Sequence, residues 1–183
     1  MKPFPPALLA FCRVVDTINE KLGWLASYAV LAACLISAGN ALVRYSLDIS
    51  SNAWLEIQWY LFGTTVMLGS AYVLRRNEHV RVDILYTRLS GRGRVLLDLG
   101  GLLFFLLPVM LLLAVLSWPI FLRALQSGEV SSNAGGLVRW PALLLLPLGF
   151  ALLSLQAVAE VIKRLAWLRG HPMLDAHYEK PLQ

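Results

Sequence analysis

The sequence predicts an all-α integral membrane protein with four transmembrane helices, and two observations support this prediction. Of its 183 residues, 58% are hydrophobic and 15% are charged, which is too apolar for an ordinary soluble domain. Four stretches of 18 to 24 residues also contain no Asp, Glu, Lys or Arg. About 20 apolar helical residues cross the roughly 30 Å of bilayer hydrocarbon, so each stretch is long enough to span.

The charge-free stretches give the predicted spans in order along the chain. They are Leu22–Leu42, Ile57–Leu74, Leu99–Leu122 and Trp140–Ala159. With flanking residues we expect spans at 22–46, 53–74, 95–120 and 137–161, all within a single domain over residues 1–183. Pro108 and Pro147 fall inside the third and fourth spans and are expected to kink them, because proline removes a backbone hydrogen bond.

The N-terminal segment precedes the first span and contains a short apolar run. Two prolines and Arg13 interrupt this run, and no small-residue cleavage site follows it, so we expect it to be retained. Cys12 and Cys34 are the two thiols of the chain, and they lie on different sides of the predicted membrane boundary. We therefore interpret both as structural cysteines without a disulfide.

Polar and small residues mark one candidate face of the first two spans. Glu56, Gly63 and Ser70 recur at intervals of seven, which is nearly two helical turns, and Asn40 and Arg44 lie at the end of the first span. Small and polar residues hold membrane helices together. The sequence leaves two interpretations open, packing within this chain or docking of another membrane protein. Arg44 is the nearest candidate to pair with Glu56 in this chain, and a counter-charge on the other protein is the alternative.

The basic residues predict that both termini are cytoplasmic. With that orientation, thirteen of the 16 Lys and Arg lie in cytoplasmic segments and three lie outside. Cytoplasmic loops retain positive charge, so the bias favours this topology. The net charge of +5 then indicates contact with anionic membrane lipids. No nucleic-acid partner is expected, because no basic stripe interleaved with aromatic residues is present.

The connection between the second and third spans contains a compact group of charged residues. Glu78, His79 and Asp83 lie close together in sequence, which raises the possibility of a metal or catalytic site. The alternative is a short amphipathic helix on the membrane surface beginning near Asp83, with Leu85 facing the lipid, which we favour. Arg75 and Arg76 precede this predicted membrane-surface loop.

No cofactor is expected. The three histidines all lie outside the predicted spans, which argues against a haem held between helices. The sequence also contains no Gly-rich phosphate-binding motif.

Two stretches carry a family resemblance. "WLEIQWYLFGTTVMLGSAYVLRRNEHVRVDILY" and "GLVRWPALLLLPLGFALLSLQAVAEVIKR" resemble the small membrane subunit of tripartite ATP-independent periplasmic (TRAP) transporters, the DctQ-like family. The resemblance covers roughly residues 22–168. It implies a bacterial inner-membrane protein that works with a large DctM-like membrane subunit and a periplasmic substrate-binding protein in ion-gradient-driven uptake of an organic acid.

The resemblance also implies that this subunit is non-catalytic and braces the large subunit. Two other functions remain as alternatives. One is a self-sufficient homodimeric transporter in which Glu56 carries protons, since carboxylates within membranes are often functional. The other is a membrane-bound enzyme that uses Glu78, His79 and Asp83.

Overall fold

The computed structural model describes residues 4–49, 51–78, 86 and 88–171, and it is helical throughout apart from short connections. Within these residues five α-helices follow one another: α1 (Pro6–Leu47), α2 (Asn52–Arg76), α3 (Gly91–Gly101), α4 (Leu107–Ser127) and α5 (Trp140–Leu168). A π-helical segment, Leu102–Leu106, joins α3 to α4, so the two form one helical run of 37 residues. The predicted all-α class is confirmed.

Three helical runs of the described chain are long and apolar enough to cross a membrane, so the predicted count of four is wrong by this measure. They are Pro6–Leu47, Gly91–Ser127 and Trp140–Leu168. The helix that falls short is α2, which lies where the second span was predicted. Its charge-free stretch includes Gln58, Thr64, Thr65 and Ser70, and these polar side chains lower its mean hydropathy.

The first helix is much longer than the span predicted for it. α1 has 42 residues, which at 1.5 Å per residue gives about 63 Å, roughly twice the thickness of the bilayer hydrocarbon. Pro5 precedes it and Pro6 fits its first turn, where a missing N–H costs nothing. The segment before the predicted span is therefore a continuation of the same helix.

The helices α1 and α2 form an antiparallel pair with close backbone approach. A Cβ atom placed on Gly23 would lie 2.5 Å from the ring of Tyr72, and one on Gly69 would lie 3.6 Å from Cβ of Ala26. Small residues thus let the two helices approach closely, as is usual between membrane helices.

The last helix, α5, occupies the centre of the bundle and contacts α1, α2, α3 and α4. It runs parallel to α2, where a Cβ atom on Gly149 would lie 2.7 Å from Cβ of Met67. The two described ends of the chain meet at one end of the bundle, since the backbone N–H of Phe4 donates to Nε2 of His171 at 3.1 Å. We call this the terminal end and the opposite end the loop end.

The π-helical segment lies directly before Pro108, one of the two prolines predicted to distort a span. The Leu107 N–H donates to the carbonyl of Leu102, five residues earlier. A proline ring collides with the carbonyl four residues before it in a regular α-helix, and the wider π turn relieves that collision.

Candidate functional site

Polar side chains are concentrated in two clusters, one at each end of the bundle. The cluster at the terminal end, which we call the ionic network, joins four helices. Its members come from α1, α2, α3 and α5 and are Asp16, Asn19, Glu20, Arg75, Asp98, Gln156, Glu160, Lys163 and Arg164. Its most buried members all lie on the central helix α5 or face it.

Glu160 is the centre of the ionic network. One carboxylate oxygen accepts from Lys163 Nζ at 2.8 Å and from Gln156 Nε2 at 3.0 Å, and the other accepts from Arg164 Nη1 at 2.5 Å. The side chains of Glu160 and Arg164 are each 4% exposed. A buried charge is tolerated only when it is paired and hydrogen-bonded, and Glu160 meets both conditions.

Helix α1 joins the ionic network through three polar residues. The Asp16 carboxylate accepts from Lys163 Nζ at 2.7 Å, and the Asn19 amide donates to Gln156 Oε1 at 2.7 Å. Glu20 pairs with Arg75 of α2, whose guanidinium also donates to the Asp16 carbonyl at 3.1 Å. Both neighbours of α1 are thus fixed to it by charge-assisted bonds.

Helix α3 joins the ionic network through Asp98. Its carboxylate accepts from Arg164 Nη2 at 3.1 Å, and its second oxygen accepts from the hydroxyl of Tyr86. Arg164 therefore bridges Glu160 within α5 to Asp98 in the neighbouring helix. This bridge links the start of the long helical run α3–α4 to the central helix.

The composition of the ionic network indicates a structural role. Its carboxylates face guanidinium and ammonium groups, and the described residues contain no group of three His, Cys, Asp or Glu side chains placed to hold a metal ion. Such a constellation holds α1, α2 and α5 in fixed register, because moving one of these helices would separate several paired groups at once.

The second cluster lies at the loop end and is centred on Glu56. Its carboxylate accepts from the backbone N–H of Leu137 at 2.6 Å, from Asn133 Nδ2 at 2.8 Å and from the hydroxyl of Ser131. The Leu137 N–H, followed by the Ser131 and Asn133 side chains, lowers the pKa of Glu56 below its ordinary value, because these donors favour the charged form. We call this arrangement the carboxylate cap.

The loop between α4 and α5 is shaped to fit this carboxylate. Val130 and Val138 form an isolated antiparallel bridge, and the Ser131 N–H donates to the Leu137 carbonyl at 2.9 Å. A Cβ atom on Gly136 would lie 2.9 Å from a Glu56 carboxylate oxygen, so glycine is required there. The loop is also tied to α2 by Asn52, which donates to the Ala134 carbonyl at 2.9 Å.

The candidate face predicted from the sequence does not form one continuous surface. Glu56 faces the α4–α5 loop, and a Cβ on Gly63 would lie 3.5 Å from Leu145 of α5. Ser70 donates to the Val66 carbonyl and lines a groove between α1 and α2. The predicted pairing of Glu56 with Arg44 is wrong, because the loop supplies the donors, and the Arg44 side chain is exposed.

The membrane-surface loop predicted after α2 is only partly covered by the structure. Arg75 belongs to the ionic network, whereas Arg76 and Glu78 form an exposed pair at 3.5 Å. His79, Asp83 and Leu85 lie outside the described residues. Asn40, the remaining residue of the predicted docking face, is half-buried near the end of α1.

Sequence reasoning missed the ionic network, although its spacing is visible in the sequence. Asp16, Asn19 and Glu20 lie at positions i, i+3 and i+4, and Glu160, Lys163 and Arg164 repeat that spacing in α5. Residues so spaced share one helical face. Two such faces beside long apolar runs could have indicated that the helices meet there.

The three long apolar helical runs of the described chain indicate a multi-pass helical membrane protein. The family model for the DctQ component of tripartite ATP-independent periplasmic transporters matches residues 20–166. The chain belongs to this family and is a component of a transporter. Searches among curated proteins and among solved structures each gave no match.

Proposed function

We propose that this chain is the non-catalytic small permease subunit of a TRAP transporter and that it braces the large membrane subunit. The observation that carries the proposal is the family match over residues 20–166. In this assignment the large DctM-like subunit transports the substrate, which is an organic acid delivered by a periplasmic binding protein. An ion gradient drives uptake, and the assembly lies in the bacterial inner membrane.

The two polar clusters support a bracing role. The ionic network fixes α1, α2 and α5 to one another at the terminal end, and the carboxylate cap fixes α2 to the α4–α5 loop at the other end. A bundle secured at both ends resists shear between its helices. This resistance is what a scaffold for a moving partner requires.

For the orientation, we propose that the terminal end is cytoplasmic. Phe4 and His171 meet there, so both described chain ends share one side, and the basic residues are concentrated in the same segments. This proposal requires the charge-free part of α2 to cross the bilayer as well, packed against α1 and α5. Gly91→Cys tests this, because Gly91 is exposed and a Cβ there meets no atom within 4 Å. In a background with Cys12→Ala and Cys34→Ala, an impermeant maleimide applied from the periplasm should label Ala134→Cys and not Gly91→Cys. The reverse pattern contradicts the orientation.

We further propose that the large subunit docks where the first two helices remain accessible near the loop end. Asn40 and Arg44 of the predicted face are not engaged by the carboxylate cap, and Arg44 is exposed. Glu56 and Gly63 contribute indirectly, by holding α2 against α5 and its preceding loop.

Co-purification tests the assembly and this face together. The tagged chain, co-expressed with the large subunit, should recover that subunit at equal stoichiometry from mild detergent. Arg44→Glu should reduce recovery several-fold, whereas Arg123→Glu, an exposed arginine on α4, should not. Failure of the unmodified chain to recover the large subunit would refute the proposed function. Equal recovery of both variants would refute only the docking face.

The alternative of a homodimeric proton-coupled transporter has less support. Glu56 would have to exchange a proton while both of its oxygens accept hydrogen bonds from the loop. Proteoliposomes that contain this chain alone should show no proton-coupled organic-acid flux. Flux from the chain alone would favour the alternative.

A further inference from the structure

The helical run Gly91–Ser127 contains three helix-weakening features within one short stretch. Gly100 and Gly101 are adjacent, the π-helical segment Leu102–Leu106 follows them, and Pro108 comes next but one. Glycine destabilises a helix interior through its backbone freedom, a π turn interrupts the regular bonding, and proline removes a donor. We call Gly100–Pro108 the weak stretch.

Neither packing nor backbone geometry requires glycine at these two positions. A Cβ atom on Gly100 or Gly101 would meet no heavy atom within 4 Å, and Gly101 has ordinary helical angles of φ −60° and ψ −43°. Gly149 differs, since a Cβ there would lie 2.9 Å from the Met67 carbonyl. The property that the glycine pair adds is therefore backbone freedom.

The helices on the two sides of the weak stretch are held by different contacts. α4 packs against α5 through Phe121 and Ala124, which are buried. α3 has one buried residue, Val95, and the bridge from Asp98 to Arg164 links it to α5. Leu102, at the junction, is 5% exposed in a cluster with Leu74 and Ala157, and it can serve as a pivot.

We propose that the weak stretch is a hinge, on which α3 swings about Leu102 while α4 stays packed on α5. The Asp98–Arg164 bridge acts as the latch that holds α3 in the position described. α3 has 11 residues and is about 16 Å long, so a bend of about 20° moves its start by roughly 5 Å. The inference goes beyond the proposed function and does not rest on it.

Distance measurements by pulsed electron paramagnetic resonance test the hinge in the full chain in lipid nanodiscs. Spin labels at Arg92→Cys on α3 and Lys21→Cys on α1 lie on two helices that both contact α5, so a swing of α3 against α5 changes their distance. Cys12→Ala and Cys34→Ala remove the native thiols. We expect this labelled chain, the parent, to show a broad or two-peaked distribution of label-to-label distances about 5 Å wide.

Two variants should change this distribution in opposite directions. Gly100→Ala with Gly101→Ala should narrow it to a single peak, because alanine restricts the backbone and its Cβ meets no neighbour. Asp98→Asn should broaden it, because the latch loses its charge. Gly91→Ala adds a methyl group in open space outside the weak stretch and should match the parent. Helix content by circular dichroism serves as the folding control.

The hinge is refuted if the parent distribution is already as narrow as that of the double-alanine variant. It is also refuted if Gly91→Ala narrows the distribution as much, since the effect would then reflect general helix stiffening. If Asp98→Asn fails to fold, the comparison of the double-alanine variant with the parent still decides the test.

Discussion

Each end of the bundle contains a buried carboxylate, and the two carboxylates are stabilised by different kinds of partner. At the terminal end Glu160 is neutralised by Lys163 and Arg164. At the loop end Glu56 is satisfied by neutral donors, namely one backbone N–H and two polar side chains. The first arrangement couples helices by charge, so removing one member takes a partner from several others. The second arrangement depends on the shape of the α4–α5 loop. Breaking it removes only the hydrogen bonds between Glu56 and that loop.

The largest expected effect is that of Glu160→Ala. It removes the shared counter-charge of Lys163 and Arg164, which keep only the less buried carboxylates of Asp16 and Asp98. Breaking a buried ion pair costs up to about 3–5 kcal/mol of unfolding free energy. Denaturant unfolding in detergent micelles measures it. The control is Glu78→Ala, whose exposed pair with Arg76 contributes about 0–1 kcal/mol. Similar losses of unfolding free energy in the two variants would show that the ionic network is open to solvent.

A smaller effect is expected from Asn19→Leu. It removes the donor to Gln156 Oε1 in a fully buried position, and an unsatisfied buried acceptor costs about 1–3 kcal/mol. The double variant with Gln156→Leu should lose less unfolding free energy than the two single variants lose together, because the unsatisfied acceptor is removed too. Simple additivity in the same unfolding assay would mean that the two amides act independently.

The carboxylate cap predicts a local, pH-dependent effect at the loop end. The pKa of Glu56 is lowered in the folded chain, so its contribution is full above its ordinary value of 4.5 and is lost as pH falls through the lowered pKa. Hydrogen exchange of the Leu137 amide, corrected for its intrinsic rate, should therefore lose protection on acidification. Glu56→Gln should show weak protection at every pH. A parallel pH response in both proteins would assign the transition to another group.

The smallest expected effect is that of Glu129→Ala, near the carboxylate cap. Glu129 pairs with Arg139 at 3.1 Å, but both side chains are well exposed, so the pair contributes about 0–1 kcal/mol. Protection of the Leu137 amide should stay close to that of the parent. A loss as large as that in Glu56→Gln would show that this pair, and not the carboxylate, holds the loop.

The apolar lengths were sufficient to predict the fold class, because continuous charge-free runs have few other solutions. Counting charges could not show that α2 is less apolar than its neighbours, since Gln58, Thr64 and Thr65 are polar without being charged. Nor could it place the start of α1, whose first turns are amphipathic and pack on α5 through Cys12 and Val15.

The candidate site was harder to predict because its contacts join distant parts of the chain. Glu56 bonds to residues that follow it by 75 to 81 positions, and no local pattern connects them. Arg44 was the nearest basic residue in sequence, which made it the natural candidate. A loop that offers a backbone N–H satisfies the carboxylate instead, and such loops are not visible from residue type alone.

The separation between Glu56 and its loop also constrains how the protein is made. At a synthesis rate of roughly 5–20 residues per second, Leu137 leaves the ribosome about 4–16 s after Glu56. During this interval the carboxylate has no loop to receive it, so it must stay in water at the membrane surface. The carboxylate cap therefore cannot close until the chain beyond α4 has been made.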